Sequence, residues 1–385
     1  MKRLALLLLL SVPAALAGGA RGDGCTPSTC GTMSGTLPGG SILAVRTGGQ
    51  TGRLLAYDLR RGTKAFALPP GMLAADGRHF FTVRAGRTET TVGSYDPQSG
   101  ASRNVWSVRG AWLPAGVSPN GRRIVLVRYP RPGGNTRFAL VDTVRGDVLK
   151  LFQVAGPNEV ETVSPDGRRI YIVHWRGSSY RLVIYDVAQG TLRANPPVSE
   201  DGSREKMTGT AWIGLPSHDG RMVYTLYVKP DSSAFIHALD LTGRAPHCID
   251  LPGRTASPFD TGMAALVLSP DGRKLYVASA RVGQVVVVDT SRMKVIRTVR
   301  FKPAPVASTS SPGAISGNGR TVYFAGDTQL WAYDTAYGRV RGPYELYAPL
   351  QGIVGLGFAP NGRKLYLVDA AGNVASRNAA TGAPL

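Results

Sequence analysis

Few residues in this chain have the type and spacing that chemistry requires. Five histidines stand at positions 79, 174, 218, 237 and 247, with no His-Glu-x-x-His pattern among them. There is no Gly-x-Ser-x-Gly elbow, Walker loop or dinucleotide fingerprint. Cys25, Cys30 and Cys248 lack zinc-finger or haem-attachment spacing. What remains is a series of polar residues between apolar runs: Arg84; Arg128, Tyr129 and Arg131; His174, Trp175 and Arg176; Lys229 with Asp231; Arg281; Asp327; and Asp369. The first five groups offer a cation, or His with Arg, and the last two offer an acid. Such a series suits the orientation of an anionic or dipolar partner; ordinary polar filling of loops is the alternative. His174-Trp175-Arg176, set against Tyr180, is the best contact candidate, because aromatic and Arg residues dominate interface energetics. His174 is also the histidine best placed for proton transfer, since His79 and His218 belong to turns, His237 to a strand and His247 in or near one.

The elements that position this series repeat. Seven turns of the form (Asp/Asn)-Gly-Arg begin at Asp76, Asn120, Asp166, Asp219, Asp271, Asn318 and Asn361, spaced by 44, 46, 53, 52, 47 and 43 residues. A period in this range marks a repeat architecture. In the unit around Asp271, short apolar and β-branched runs alternate with Gly, Pro, Asp and Ser, which predicts four antiparallel strands, with Asp-Gly supplying the positive φ of a tight hairpin. The third strand of nearly every unit ends in Asp: Asp58, Asp96, Asp142, Asp186, Asp240, Asp289 and Asp334. Each of these is expected to cap its following turn.

Sheets of this size bury their faces by stacking radially, which predicts an all-β, seven-bladed β-propeller. Strands before residue 70 are expected to complete the last blade and close the ring; a surplus third-strand segment leaves an eighth blade as the alternative. The (Asp/Asn)-Gly-Arg turns then lie on one face. The polar series lies on the other, at the channel mouth. The longest crossover, 194–210, carries Glu200, Asp201 and Glu205 and reads as a mobile rim or a lid.

Ser164-Pro165-Asp166-Gly167-Arg168-Arg169-Ile170-Tyr171-Ile172-Val173 and Ser269-Pro270-Asp271-Gly272-Arg273-Lys274-Leu275-Tyr276-Val277-Ala278 resemble the bacterial YVTN-type propeller repeats, relatives of the TolB and lactonase-like propellers. The resemblance spans residues 41–385; the Gly-His…Trp-Asp signature of WD40 repeats is missing. It implies a secreted or periplasmic β-propeller, usually without an assigned reaction. Lactonase-like propellers hydrolyse cyclic esters at the channel mouth, often with a divalent cation held by acids. On that resemblance Asp327 and Asp369 are the cation candidates and His174 the base, although no motif aligns them. Otherwise no cofactor is expected.

The formal charge of +20 comes mostly from scattered arginine, which favours polyanionic partners without any nucleic-acid motif. Lys2 and Arg3, the apolar run Leu4–Leu10, Pro13 and Ala15-Leu16-Ala17 read as a signal peptide over 1–17. Residues 18–40 read as a Gly/Ser/Thr leader, in which Cys25 and Cys30 are able to pair in an oxidising compartment. Residues 41–385 read as one propeller domain, without a transmembrane segment after signal removal. The expected function is that of a secreted, non-enzymatic binding scaffold for an envelope protein, an anionic surface polymer or a small ligand. The alternatives are a lactonase-like hydrolase and a structural component of the cell envelope.

Overall fold

Eight six-residue patterns of backbone hydrogen bonding organise the molecule. In the turn at Asn120, Ser118 N donates to Arg123 O and Gly121 N donates to Ser118 O. The same pair of bonds recurs at every other (Asp/Asn)-Gly-Arg turn, and once more where Leu37 N donates to Ile42 O and Gly40 N to Leu37 O. The segment Pro38-Gly39-Gly40-Ser41 is thus an eighth turn, with Gly39 and Ser41 standing where the others have Asp or Asn and Arg. In the computed structural model, which describes residues 34–47, 53–129, 134–176, 179–199, 202, 208–304, 311–346, 350 and 352–385, the chain folds into eight antiparallel sheets. The expected seven blades are therefore corrected to eight.

Ring closure is corrected as well. Residues 34–68 do not complete the last blade; they form their own four-stranded blade, opening with Ser34–Thr36 inside the stretch read as leader. Blade 8 holds three strands, Ile353–Phe358, Lys364–Asp369 and Val374–Asn378. Residues 383–385 run beside the last of these, with Asn378 N bonded to Ala383 O and Leu385 N to Ser376 O. Closure is made by side chains: Leu43, Val45, Tyr57 and Leu59 of blade 1 pack against Val354, Tyr366 and Val368 of blade 8.

Local chemistry explains why each turn forms. Glycine takes the positive φ, +67° at Gly121 and +70° at Gly167, and the preceding Asp or Asn does not. That residue acts as a cap instead: Asp166 Oδ1 accepts from Arg168 N at 3.0 Å and from Ser164 Oγ at 2.6 Å, while Ser164 Oγ accepts from Arg169 N. Capping by the third-strand Asp is likewise observed, for example at Asp142, whose Oδ1 accepts from Val144 N and Arg145 N.

Each blade is apolar on both faces because it touches two neighbours. In the third strand of blade 6, Gln284–Asp289, Val286 and Val288 pack on blade 5 while Val285 and Val287 pack on blade 7. An unbroken valine run therefore replaces the alternation expected of a one-sided sheet. Fully burying each such side chain is worth about 1.5–3 kcal/mol. The meander puts first-to-second and third-to-fourth turns on one face of the ring. Second-to-third loops and crossovers lie on the other, the mouth face. Residues 1–17, Cys25 and Cys30 lie outside the described residues. Among the described residues no helix is long and apolar enough to cross a membrane.

Candidate functional site

On the mouth face, three of the expected cations rest on aromatic rings. Arg128, the last residue of the second strand of blade 3, lies with its guanidinium carbon 5.2 Å from the centre of the Trp112 ring. Its Nε donates to Ala111 O at 3.2 Å. Trp112 is itself anchored: its backbone N donates to Thr90 Oγ1 and its Nε1 donates to Arg109 O. Lys229 sits 5.2 Å from the Phe235 ring centre and 3.9 Å from Asp250 Oδ1. Arg281 lies 5.4 Å from the Phe259 ring centre and pairs with Asp260. Phe259 and Asp260 both come from a single-turn helix, Pro258–Gly262, in the crossover from blade 5 to blade 6. Burial pulls the Arg281 guanidinium below its ordinary pKa, and the Asp327 charge opposes that shift. A cation over a ring gains about 0.5–2 kcal/mol depending on desolvation, and it gives up rotamer freedom before any partner arrives.

The remaining expected residues behave differently. Arg84 is exposed at the end of its strand. Arg131 and the Arg176 side chain lie outside the described residues, as do Glu200, Asp201 and Glu205. His174 Nδ1 meets Asn158 Oδ1 at 2.8 Å. The Asn158 amide nitrogen faces the carbonyls of Ala155 and Gly156 at 3.0 and 2.9 Å, so its oxygen must be the acceptor and His174 carries a proton on Nδ1. Trp175 packs tilted against Tyr180, ring centres 4.8 Å apart, and joins the core between blades 4 and 5, with its Nε1 buried and without a hydrogen-bond partner among the described residues.

Asp327 accepts the Gly352 amide at 3.2 Å. Asp369 is buried and accepts from Asn373 N and Nδ2 at 2.8 and 2.9 Å. These two acids lie on blades 7 and 8, whereas His174 lies on blade 4. Among the described residues no group of three or more His, Cys, Asp or Glu side chains is arranged to hold a metal ion.

The sequence reading missed Glu161. It occupies a β-bulge in the first strand of blade 4, where pairing passes from Val160 directly to Thr162, and the bulge turns its side chain into the interface with blade 5. Its Oε2 accepts from the Tyr227 hydroxyl at 3.3 Å, and its Oε1 has no partner among the described residues. Burial, reinforced by nearby Glu159 and opposed by the Tyr227 hydrogen bond, pushes its pKa up to about 8. Burial also drives the Tyr180 and Tyr227 hydroxyls well above their ordinary range and pulls His237 down to about 3. The His237 ring packs edge-on to Tyr227 at 5.8 Å, with the buried Cys248 Sγ 4.0 Å from its Nδ1. Perturbed groups of this kind flag functional sites, but also structural ones. With Glu161 only 3% exposed, this cluster holds protons inside a closed wall. Its sequence signal is Glu159-Val160-Glu161, two acids in a first strand whose counterpart in blade 6 reads Ala264-Ala265-Leu266.

A family model described as outer membrane protein assembly factor BamB matches residues 242–385, less than half of the chain. No curated protein matches it in sequence. Among solved structures, dihydro-heme d1 dehydrogenase NirN in complex with DHE aligns with a TM-score of 0.55 at 15% identity, covering 91% of this chain and 73% of that one. The C-terminal WD40 domain of Sif2 aligns at 0.52 and 14%, covering 91% and 96%. The Dos1 propeller aligns at 0.52 and 10%, covering 92% and 94%. These likenesses support a β-propeller built of repeats. At such identities they carry the fold alone.

Proposed function

We propose that this chain is a secreted binding propeller of the YVTN/TolB-like kind, acting in the cell envelope, that receives an anionic partner on its mouth face. The observation that supports this reading is the set of three cations, Arg128, Lys229 and Arg281, each seated over an aromatic ring at the end of a second strand or in the loop that follows. A side chain already held in place costs less entropy to engage than a free one. Arg84 and Arg128 have no carboxylate within salt-bridge distance among the described residues, so their charge is available to a partner, whereas Lys229 and Arg281 share theirs with Asp250 and Asp260. Envelope proteins with acidic surfaces and anionic surface polymers both match this chemistry. The reading needs no catalytic step and no cofactor.

The test is a pull-down with the full chain on a native envelope fraction at low and moderate salt, comparing wild type with Arg84→Gln/Arg128→Gln. Retention that falls with salt, and falls about tenfold or more in the double variant, supports the proposal. Retention independent of both salt and the two arginines overturns it.

A further inference from the structure

The seven arginines of the (Asp/Asn)-Gly-Arg turns face away from the mouth, and all of them are exposed: Arg78, Arg122, Arg168, Arg221, Arg273, Arg320 and Arg363. Their backbone amides are taken by the turn itself, as in Arg168 N to Asp166 Oδ1 and Arg320 N to Asn318 Oδ1. Their guanidinium groups are not. Among the described residues only Arg221 has a carboxylate within 4.0 Å, that of Asp219. Three turns begin with Asn and four with Asp, so the seven motifs set seven guanidiniums against four carboxylates. Those carboxylates point back into their own turns, as Asp219 and Asp271 do by accepting from Ser217 Oγ and Ser269 Oγ. Because the same two hydrogen bonds place each turn at the same point of its blade, the arginines issue at one level around the ring.

The third-to-fourth turns share this face and add to it. Arg60, Arg61, Arg145 and Arg292 are exposed there. So are two apolar side chains, Val144 at 72% and Tyr337 at 75% exposure. Arg339 lies over the Tyr337 ring at 5.1 Å, leaving an aromatic ring and a guanidinium presented together.

We infer that this face docks on an anionic lipid bilayer, through phosphate headgroups. A ring of guanidiniums at one level meets a planar anionic surface with all its members together. A linear polymer or a folded protein would reach a few blades. Exposed Tyr and Val suit the zone between headgroups and acyl chains, where aromatic side chains collect. Each basic residue near an anionic membrane surface contributes about a fivefold factor to partitioning, which makes several weak contacts sufficient. This surface is opposite to the one in the proposed function, and the two readings stand or fall separately.

The experiment is flotation of the full chain with vesicles of phosphatidylcholine alone or of phosphatidylcholine with phosphatidylglycerol. Residues 1–33 are common to every variant, so differences between variants report the turns. The expected result is binding to phosphatidylglycerol vesicles that weakens with salt and falls about a hundredfold or more in Arg168→Gln/Arg273→Gln/Arg320→Gln/Arg363→Gln, with Arg84→Gln/Arg128→Gln binding as wild type. Unchanged thermal unfolding of the quadruple variant confirms that it folds. Equal binding to both vesicle types overturns the inference, as does equal loss in the mouth variant. Two competition outcomes also overturn it: abolition by soluble glycerol phosphate at matched phosphate concentration would mean that single phosphates are read, and abolition by polyphosphate at the same concentration would mean that a linear polymer is preferred.

Discussion

Tyr227 of blade 5 donates its hydroxyl hydrogen to Oε2 of Glu161 on blade 4 at 3.3 Å, inside an interface whose buried members include Tyr171, Val173, Leu182, Val223 and Phe235. Wrapped in this apolar shell, the carboxyl keeps its proton at neutral pH, and the sheet pair pays for ionisation with stability.

The pH dependence follows. The Glu161 pKa rises from 4.5 to about 8 on folding, so its contribution is fully present below about pH 4.5, declines as pH rises, and is lost above about pH 8. Glu161→Gln, which cannot ionise, is expected to match wild type near pH 4.5 and to exceed it by about 4–5 kcal/mol at pH 8.5. Urea unfolding across that range checks it; a gain independent of pH would contradict the burial of an ionisable group here.

His237 works on the acid side. Its pKa falls from 6.5 to about 3, so the unfolded chain binds the proton first and stability is lost as pH drops from about 6.5 toward 3. His237→Phe keeps a ring against Tyr227 and removes the titration. Its unfolding midpoint should fall less than that of wild type between pH 7 and pH 4, measured by thermal scans at each pH.

Two turn glycines separate backbone strain from crowding. Gly40 has φ +71° with open space where a Cβ would sit, whereas at Gly121, φ +67°, a Cβ would lie 2.5 Å from His79 Cγ. Gly40→Ala should cost about 1–2 kcal/mol, the left-handed penalty alone. Gly121→Ala should cost clearly more, because the His79 ring, bonded to Asp76 Oδ2 at 2.8 Å, has to move. Denaturant midpoints of the two variants decide between these outcomes.

Gly262 tests the support under Arg281. A Cβ there would stand 2.3 Å from Trp212 Cδ2, and Trp212 also meets Phe259 edge-on at 5.4 Å. Gly262→Ala should destabilise by about 1–3 kcal/mol and shift the tryptophan emission as the single-turn helix is displaced. An unchanged spectrum and melting temperature would mean that the crossover accommodates the methyl without moving Trp212.

Much of the fold was legible before any coordinate. The motif (Asp/Asn)-Gly-Arg identifies seven of the turns because its hydrogen bonds close within six residues, and the third-strand Asp identifies the next turn for the same reason. The blade count was one short because Pro38-Gly39-Gly40-Ser41 makes those backbone bonds without the side chains that announce them. Of the candidate site, the cations at 84, 128, 229 and 281 were legible as loop residues between strands. The aromatic seats of Arg128 and Arg281 were not, since Trp112 and Phe259 arrive from the crossovers that precede their blades.

What the sequence determined by itself is therefore the local grammar: strands, capped turns, a radial repeat and the face on which each arginine stands. What the tertiary structure alone decided is which blades touch. Closure of blade 1 on blade 8 depends on side chains more than 300 residues apart, such as Leu43 and Val368. The protonation of Glu161 depends on a bulge and on a tyrosine 66 residues away. Turn chemistry is settled by neighbours in the chain; desolvation is settled by whatever the fold packs against a group.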